Sequence, residues 1–248
     1  MIDPVIFSIF GIEIYWYGFF YALAFLFAYF FILKFCLDFG FTKDKIEDII
    51  FWTMFFGIIG GRLGHILFFD PIYYLNNLNE LIRVDKGGMS IHGGLIGAIL
   101  TLYYFSWKYK LNFLKLTDLF VIPTALGLAF GRLANFINQE LVGKITSSSL
   151  GVVFPLYDDE IRWPSTIFES IKNMFTFQIL FYLFYFKKLK TGLLTAWFLI
   201  LYNFGRFFID FLRVHELSLG IISMGQFLSL IFGFAGLLLL FYLNKINE

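Results

Sequence analysis

Long, nearly uninterrupted apolar segments dominate this sequence and leave few choices of fold. A helix needs about 20 apolar residues to cross the hydrocarbon core of a bilayer. Seven segments approach or exceed that length, at residues 15–36, 48–69, 89–107, 118–139, 167–186, 191–212 and 221–243. Hydrophobic residues make up 59% of the 248 positions and charged residues only 15%, too few charges to cover a soluble domain. We therefore expect an all-α integral membrane protein with seven transmembrane helices.

The positive charges between these segments are unevenly distributed. Ten Lys and Arg residues lie in the connections or adjoining helix ends on one side. Six lie in those on the other side, among them Lys172 near the start of the fifth segment, and Arg62, Arg132 and Arg206 lie inside predicted helices. Lysine and arginine are enriched in cytoplasmic loops, so the side that carries Lys187, Lys188 and Lys190 is assigned to the cytoplasm. Seven crossings then place the N-terminus outside and the C-terminus in the cytoplasm. Residues 1–248 are expected to form a single transmembrane domain.

Two connections on the outer side are long. Residues 70–88 contain an amphipathic stretch, 73–81, that is expected to lie in the membrane interface as an outer arm. Residues 141–166 carry Gly, Ser, Pro and an acidic cluster, and are expected to form a small outer cap. The formal net charge of +1 gives no electrostatic footprint for nucleic acid.

Charged and amide side chains inside or next to the predicted helices gather toward their outer ends. Charges are costly in the hydrocarbon core, so their presence there indicates function. We expect these side chains to share one pocket near the outer leaflet. They are Arg62, His92, Arg132, Asn135, Asn138, Glu140, Glu169, Arg206 and Asp210.

The sixth predicted helix carries four of the relevant side chains on one face. Tyr202, Arg206, Asp210 and Arg213 follow a spacing of four, four and three residues. One interpretation is an ion pair between Arg206 and Asp210 that joins helices. The other is a lipid phosphate site, because the three embedded arginines exceed the negative charge of Glu140 and Asp210, and arginine binds phosphate in a bidentate manner.

Other positions keep two interpretations open. His92 is either a proton-transfer group beside the arginines or a hydrogen-bonded structural residue, and Tyr17 either anchors the first helix at the interface or contributes to the pocket. Glycines spaced four apart indicate close helix packing, at Gly57 and Gly61, at Gly93 and Gly97, and at Gly127 and Gly131. The sequence shows no metal-ligand spacing and no nucleotide motif, so neither a metal nor another cofactor is expected.

The segment from Gly131 to Gly143, GRLANFINQELVG, resembles the signature of the bacterial prolipoprotein diacylglyceryl transferases. The resemblance covers essentially the whole chain. Further matching segments follow in the family's order, at Asp3–Phe7, Trp16–Gly18, Gly60–Arg62, His92–Gly94, Tyr202–Arg213 and Ser223–Gln226. The chain departs from the family at Trp163–Glu169, where His, Gln and Tyr of a His-Pro-Ser/Thr-Gln-x-Tyr-Glu stretch are replaced, and at Asp210, where Glu is common.

This resemblance implies an activity and a location. The diacylglyceryl group of phosphatidylglycerol would pass to the thiol of the lipobox cysteine of a prolipoprotein, giving a thioether and glycerol phosphate. The expected partners are phosphatidylglycerol, the signal peptide and lipobox cysteine of the precursor, and the phospholipid bilayer, with no nucleic acid. The site would face outward in a multi-pass protein of the bacterial cytoplasmic membrane.

The resemblance also implies roles for individual residues. Catalysis is assigned to His92, Arg132 and Arg206, with His92 as the base that takes the thiol proton and a carboxylate, Glu140 or Asp210, as the alternative. Substrate binding is assigned to Tyr17, Arg62, Asn135, Glu140, Glu169, Tyr202 and Asp210.

Two other classes of protein compete with this interpretation. A small transporter would place its site near the bilayer midplane and would show internal repeats, and neither is visible in the sequence. A non-catalytic membrane scaffold would leave the embedded arginines without a purpose.

Overall fold

Long helices account for most of the structure, a computed structural model that describes residues 2–68, 71–81, 83, 88–214, 218–219 and 222–246. Each predicted apolar segment coincides with one helix of at least 18 residues. The long helices are α1 Trp16–Phe35, α2 Lys43–Phe68, α4 Ile91–Tyr109, α5 Phe113–Ile137, α6 Ser165–Tyr182, α7 Leu193–Asp210 and α8 Met224–Ile246. A short helix, α3 Pro71–Asn76, and a 3-10 turn, Leu78–Glu80, follow α2 in the predicted arm.

Among the described residues, five helices are long and apolar enough to cross a bilayer: α1, α2, α5, α7 and α8. The chain is therefore a helical, multi-pass membrane protein. Helices α4 and α6 do not meet the same criterion, and α6 carries Glu169 and Lys172 among its 18 residues. Seven crossings and their orientation stay a prediction.

Within the described part of the chain, three small antiparallel strand pairs accompany the helices, which the all-α expectation did not include. In the first pair, the two turn residues Phe10 and Gly11 have positive φ angles of 50° and 80°. Positive φ at both positions is the geometry that two-residue hairpin loops favour. The pairs are β1 Val5–Ile9 with β2 Ile12–Tyr15, β3 Val152–Phe154 with β4 Asp158–Arg162, and β5 Ser218–Leu219 with β6 Ile222–Ser223.

The contacts divide the chain into two compact units, residues 32–117 and residues 1–31 with 118–248. In the first unit α2 packs against α4 backbone to backbone. A Cβ atom at Gly60 would lie 2.5 Å from the Gly93 carbonyl oxygen, and one at Gly64 would lie 2.8 Å from the Gly93 Cα. The closest approach of α2 therefore lies at Gly60 and Gly64, three residues after the predicted pair Gly57 and Gly61.

The second unit holds α5 against α7 through a buried carboxylate. Asp118, in the second turn of α5, accepts hydrogen bonds from the Gly192 amide at 2.5 Å and from the amide and hydroxyl of Thr195, both at 2.7 Å. These donors belong to the first turn of α7, whose amides lack partners within the helix. Asp118 thus acts as an N-terminal cap supplied by a different helix.

The predicted cap segment contains the β3–β4 hairpin and an ion pair. The Arg162 Nε donates to Asp158 at 2.9 Å, while its Nη1 donates to the Gly143 carbonyl at 3.1 Å. The hydrogen bonds from Arg162 lower the pKa of the Asp158 carboxyl from its ordinary value. The guanidinium of Arg162 therefore joins the hairpin to the end of the Gly131–Gly143 segment.

Candidate functional site

The chain reverses directly after α5, and this reversal positions Glu140. Gln139 and Leu141 have positive φ angles of 57° and 55°, a region that residues with side chains seldom occupy. The Glu140 amide returns to the Asn135 carbonyl at 2.9 Å. Its carboxylate then accepts hydrogen bonds from the amides of Asn135, at 2.8 Å, and Asn138, at 3.2 Å.

Glu169, at the start of α6, is the centre of a buried ion-pair network. Its side chain is 2% exposed. The Nε of Arg132 from α5 lies 2.5 Å from Glu169 Oε2, and Arg213 Nη1 lies 3.3 Å from Oε1. Arg206 from α7 also pairs with Oε1. Three guanidinium groups from different parts of the chain therefore converge on one carboxylate.

Asp210 extends this network toward α8. Its Oδ1 lies 2.9 Å from Arg206 Nη2, so the ion pair anticipated on this helix is present. Its other oxygen accepts a hydrogen bond from the Ser223 hydroxyl. Ser223 and Gln226 bond each other reciprocally at 3.0 Å, which is the capping box that starts α8. Arg206 is therefore held between the carboxylates of Glu169 and Asp210.

The charge balance of the network leaves room for an anion. Three guanidinium groups contact two carboxylates directly, and Glu140 reaches Arg132 only through Asn135, which accepts from Arg132 at 3.3 Å. The three arginine side chains keep 11–15% of their surface exposed. Burial and, to a smaller extent, the neighbouring Arg132 lower the pKa of Arg213 from its ordinary value.

The cap segment closes against the same network. Gly143 pairs with Arg213 in an isolated antiparallel bridge, and the Lys144 amide donates to the Leu212 carbonyl at 2.8 Å. A Cβ atom at Gly143 would lie 2.9 Å from that carbonyl oxygen. The last glycine of the signature segment is thus required for close approach of the cap to the end of α7.

Arg62 lies in the other compact unit, where its guanidinium donates to three backbone carbonyls. It donates to the carbonyls of Leu81 at 2.9 Å, Gly88 at 3.0 Å and Glu80 at 2.5 Å. Its guanidinium also lies over the Tyr74 ring, 5.0 Å from the centroid. These contacts tie α2 to the described part of the predicted arm.

His92 belongs to the same unit as Arg62, residues 32–117. It is the second residue of α4, whose first turn is capped by the Ser90 hydroxyl, an acceptor for the Gly93 amide at 3.3 Å. The His92 side chain is exposed on the protein surface. A single pocket that combines Arg62 and His92 with the Glu169 network stays a prediction.

Two tyrosines assigned to substrate binding lie in the unit that contains Glu169. The rings of Tyr17 and Tyr21 stack at 4.9 Å with their hydroxyls 3.3 Å apart, and the Tyr21 hydroxyl lies 3.8 Å from the Cβ position of Gly131. Tyr202 lies one turn before Arg206 on α7 and is half-buried. Tyr17 therefore stacks on a tyrosine that lies near the Gly131–Arg132 turn of α5, and Tyr202 lies one helical turn from Arg206.

Sequence reasoning missed two cations of this site. Arg213 was recognised on the Tyr202 face but received no role, and it contacts Glu169. Lys172 was counted with the loop charges, yet its ammonium lies 3.8 Å from the centroid of the Tyr202 ring. Its position three residues after Glu169 in an apolar helix was the available signal. Within the described ranges, no three His, Cys, Asp or Glu side chains gather as metal ligands would.

The fold and this site together define a helical, multi-pass membrane protein with a buried arginine–carboxylate network. A family model described as prolipoprotein diacylglyceryl transferase matches residues 4–242. The chain belongs to this family of transferases.

Several similar proteins are named phosphatidylglycerol–prolipoprotein diacylglyceryl transferase. The protein of Rickettsia bellii (strain OSU 85-389) is 39% identical over 238 residues, covering 92% of this chain and 90% of its own. That of Rickettsia typhi is 41% identical, covering 92% of both chains. That of Ehrlichia ruminantium (strain Welgevonden) is 38% identical over 248 residues and covers 96% of both. The similarity thus extends over nearly the entire length of each chain.

Proposed function

We propose that this chain transfers the diacylglyceryl group of phosphatidylglycerol to the cysteine thiol of a prolipoprotein. The observation that carries the proposal is the convergence of Arg132, Arg206 and Arg213 on Glu169, with 11–15% of each arginine side chain still exposed. Guanidinium groups bind phosphodiesters through paired N–H donors. Family membership and the names of the relatives support the same reaction.

The arginines have a catalytic as well as a binding role in this proposal. The thiolate attacks the glyceryl carbon that bears the phosphate ester; a carbon–sulfur bond forms as the carbon–oxygen bond breaks, and the electron pair leaves with glycerol phosphate. Negative charge grows on the leaving oxygen, where preorganised cations stabilise the transition state. Arg132 and Arg206 supply those cations, and Glu169 holds them in place before substrate arrives.

Proton removal from the thiol is the remaining step. A free thiol has a pKa of about 8.5, so a base increases the fraction of thiolate at neutral pH. We assign this role to His92, because imidazole is the side chain whose ordinary pKa lies closest to neutrality. A carboxylate is the alternative acceptor of this proton, either Glu140, which is fixed by Asn135 and Asn138, or Asp210.

The remaining assignments follow from this site. Tyr17, Asn135 and Tyr202 hydrogen-bond the headgroup or the precursor, and Arg62 holds the arm, residues 70–88. The cap, residues 141–166, covers the site from outside, and the lipobox and signal peptide of the precursor approach it from the membrane. The proposal places seven crossings in the bacterial cytoplasmic membrane, with the N-terminus and the site on the outer side.

Reconstitution tests the activity directly. Purified protein is placed in vesicles that contain phosphatidylglycerol and is given a peptide with a lipobox cysteine. Mass spectrometry is expected to detect a diacylglyceryl thioether on the peptide, together with an equal amount of free glycerol phosphate. A peptide with serine in place of that cysteine, and vesicles of phosphatidylcholine alone, serve as controls. Unmodified peptide after incubation with folded protein would contradict the proposal.

A further inference from the structure

Lys172 is a half-buried cation that the proposed reaction does not yet use. It lies in α6, three residues after Glu169, and its side chain is half-buried between α6 and α7. Among the described residues, no carboxylate forms an ion pair with it. A lysine side chain within an apolar helix costs free energy, so its presence there indicates a function.

The ammonium of Lys172 is directed at Tyr202. Its Nζ lies 3.8 Å from the centroid of the Tyr202 ring and donates to the Tyr202 carbonyl oxygen at 3.4 Å. The Tyr202 ring also stacks on Phe198, with the ring centroids 5.7 Å apart. A cation over an aromatic face is attractive, and more so where water is excluded. Two contacts, with Lys172 and with Phe198, therefore hold the ring.

The path of the lysine stem is also fitted to α7. A Cβ atom at Gly205 would lie 2.6 Å from Lys172 Cγ, and closer still to Cδ. A larger residue at this position would force the lysine stem to move from this path. The hydroxyl of Tyr202, by contrast, makes no hydrogen bond within the described residues. The contacts thus hold the ring and leave the hydroxyl available.

Two contacts join α6 to α7 one turn apart. Glu169 pairs with Arg206, and Lys172 pairs with Tyr202. We infer that Lys172 is a positioning residue for the reaction, whose ammonium holds the Tyr202 ring so that the hydroxyl meets the lipid substrate bound at Arg206. This inference rests on the proposed function, and it adds a residue that neither the signature segment nor the shorter matching segments include.

The substitution Lys172→Met tests the inference, because methionine keeps an unbranched stem against Gly205 and removes the ammonium. We expect either a rise of about tenfold in the KM for phosphatidylglycerol or a fall of about tenfold in kcat, which corresponds to the loss of a desolvated cation–π contact. Lys172→Arg is expected to restore most of this loss. Lys187→Met, at an exposed lysine that follows the same helix, is the matched control and is expected to leave activity unchanged.

A double-mutant cycle separates positioning from a structural role. In Tyr202→Phe the ring remains and the hydroxyl is lost. Adding Lys172→Met to this variant is expected to cause no further loss of kcat/KM. The melting temperature is expected to fall by the same amount when Lys172→Met is added to either background. An equal loss of kcat/KM in both backgrounds would overturn the inference, as would wild-type kinetics in Lys172→Met alone. Failure of the proposed function is distinguished by the wild-type protein itself, which would then transfer no lipid.

Discussion

At the scale of the residue, Glu169 is the clearest finding. A carboxylate that contacts three guanidinium groups is a scaffold for those cations, in addition to any contact it makes with substrate. Its position after the altered Trp163–Phe168 stretch shows that the departure from the family pattern leaves the network intact. The loss of His, Gln and Tyr from that stretch is compatible with a site whose contacts are made by Glu169.

The substitution Glu169→Gln measures how strongly the network depends on this carboxylate. Removing one partner of a buried ion pair leaves uncompensated charge, and the free energy of unfolding is expected to fall by about 3–5 kcal/mol. Thermal unfolding in detergent is the measurement, with Glu47→Gln, at an exposed acid of α2, as the control. An unchanged melting temperature for Glu169→Gln would show that the arginines are held by other groups.

Arg132 tests the phosphate clamp itself. Arg132→Ala is expected to reduce lipid transfer by about 10²–10³-fold, the effect of losing one preorganised donor to a developing anion. Arg132→Lys is expected to recover little of this loss, since an ammonium lacks the planar fork that binds phosphate in two places. Initial rates of peptide lipidation give the comparison, with Lys144→Ala as an exposed-charge control. Near-normal transfer by Arg132→Ala would exclude the clamp.

At the scale of the element, specific contacts at helix ends and helix crossings fix the helices against one another. Helix α8 starts at a local capping box, while α7 takes its cap from Asp118 on α5. The α2–α4 crossing depends on Gly60 and Gly64 against Gly93. Each of these contacts fixes one helix against its neighbour at a single point.

The substitution Asp118→Asn tests the cap that α5 supplies to α7. An amide oxygen still accepts one hydrogen bond, but it lacks the charge that interacts favourably with the α7 N-terminus. A loss of about 1–2 kcal/mol in the free energy of unfolding is expected. Asp38→Asn, at an exposed acid between α1 and α2, is the control. Equal stabilities of the two variants would mean that α7 does not depend on this cap.

At the scale of the whole molecule, the proposed orientation can be checked with cysteine labelling. Cys36 is the only cysteine in the sequence and is buried, so Cys36→Ala gives a background without a reactive thiol. Ser149→Cys, in the cap, is expected to react with a membrane-impermeant thiol reagent on intact cells, because the cap lies outside. Lys43→Cys, at the start of α2, is expected to react only after the cells are opened. The reverse pattern would invert the topology.

Much of this protein could be predicted from its sequence because the relevant signals are local. Apolar runs of about 20 residues predict helices, and every predicted segment coincides with one. The Arg206–Asp210 pair follows from helical spacing, and the segment Gly131–Gly143 identifies the family. Missed local features, such as the β1–β2 hairpin, are short and lie beside much stronger helical signals.

The tertiary structure alone decided which distant groups meet. The spacing of residues 132, 169, 206 and 213 along the chain does not show that three guanidinium groups share one carboxylate. It also does not show that the Lys172 side chain passes Gly205 to reach Tyr202. Such contacts depend on how helices far apart in sequence are packed. The sequence by itself thus determined the positions of the helices, the membrane class and the family. The packing of the helices decided which charged groups pair, because each cation has several carboxylates as potential partners and only the tertiary geometry brings particular ones together.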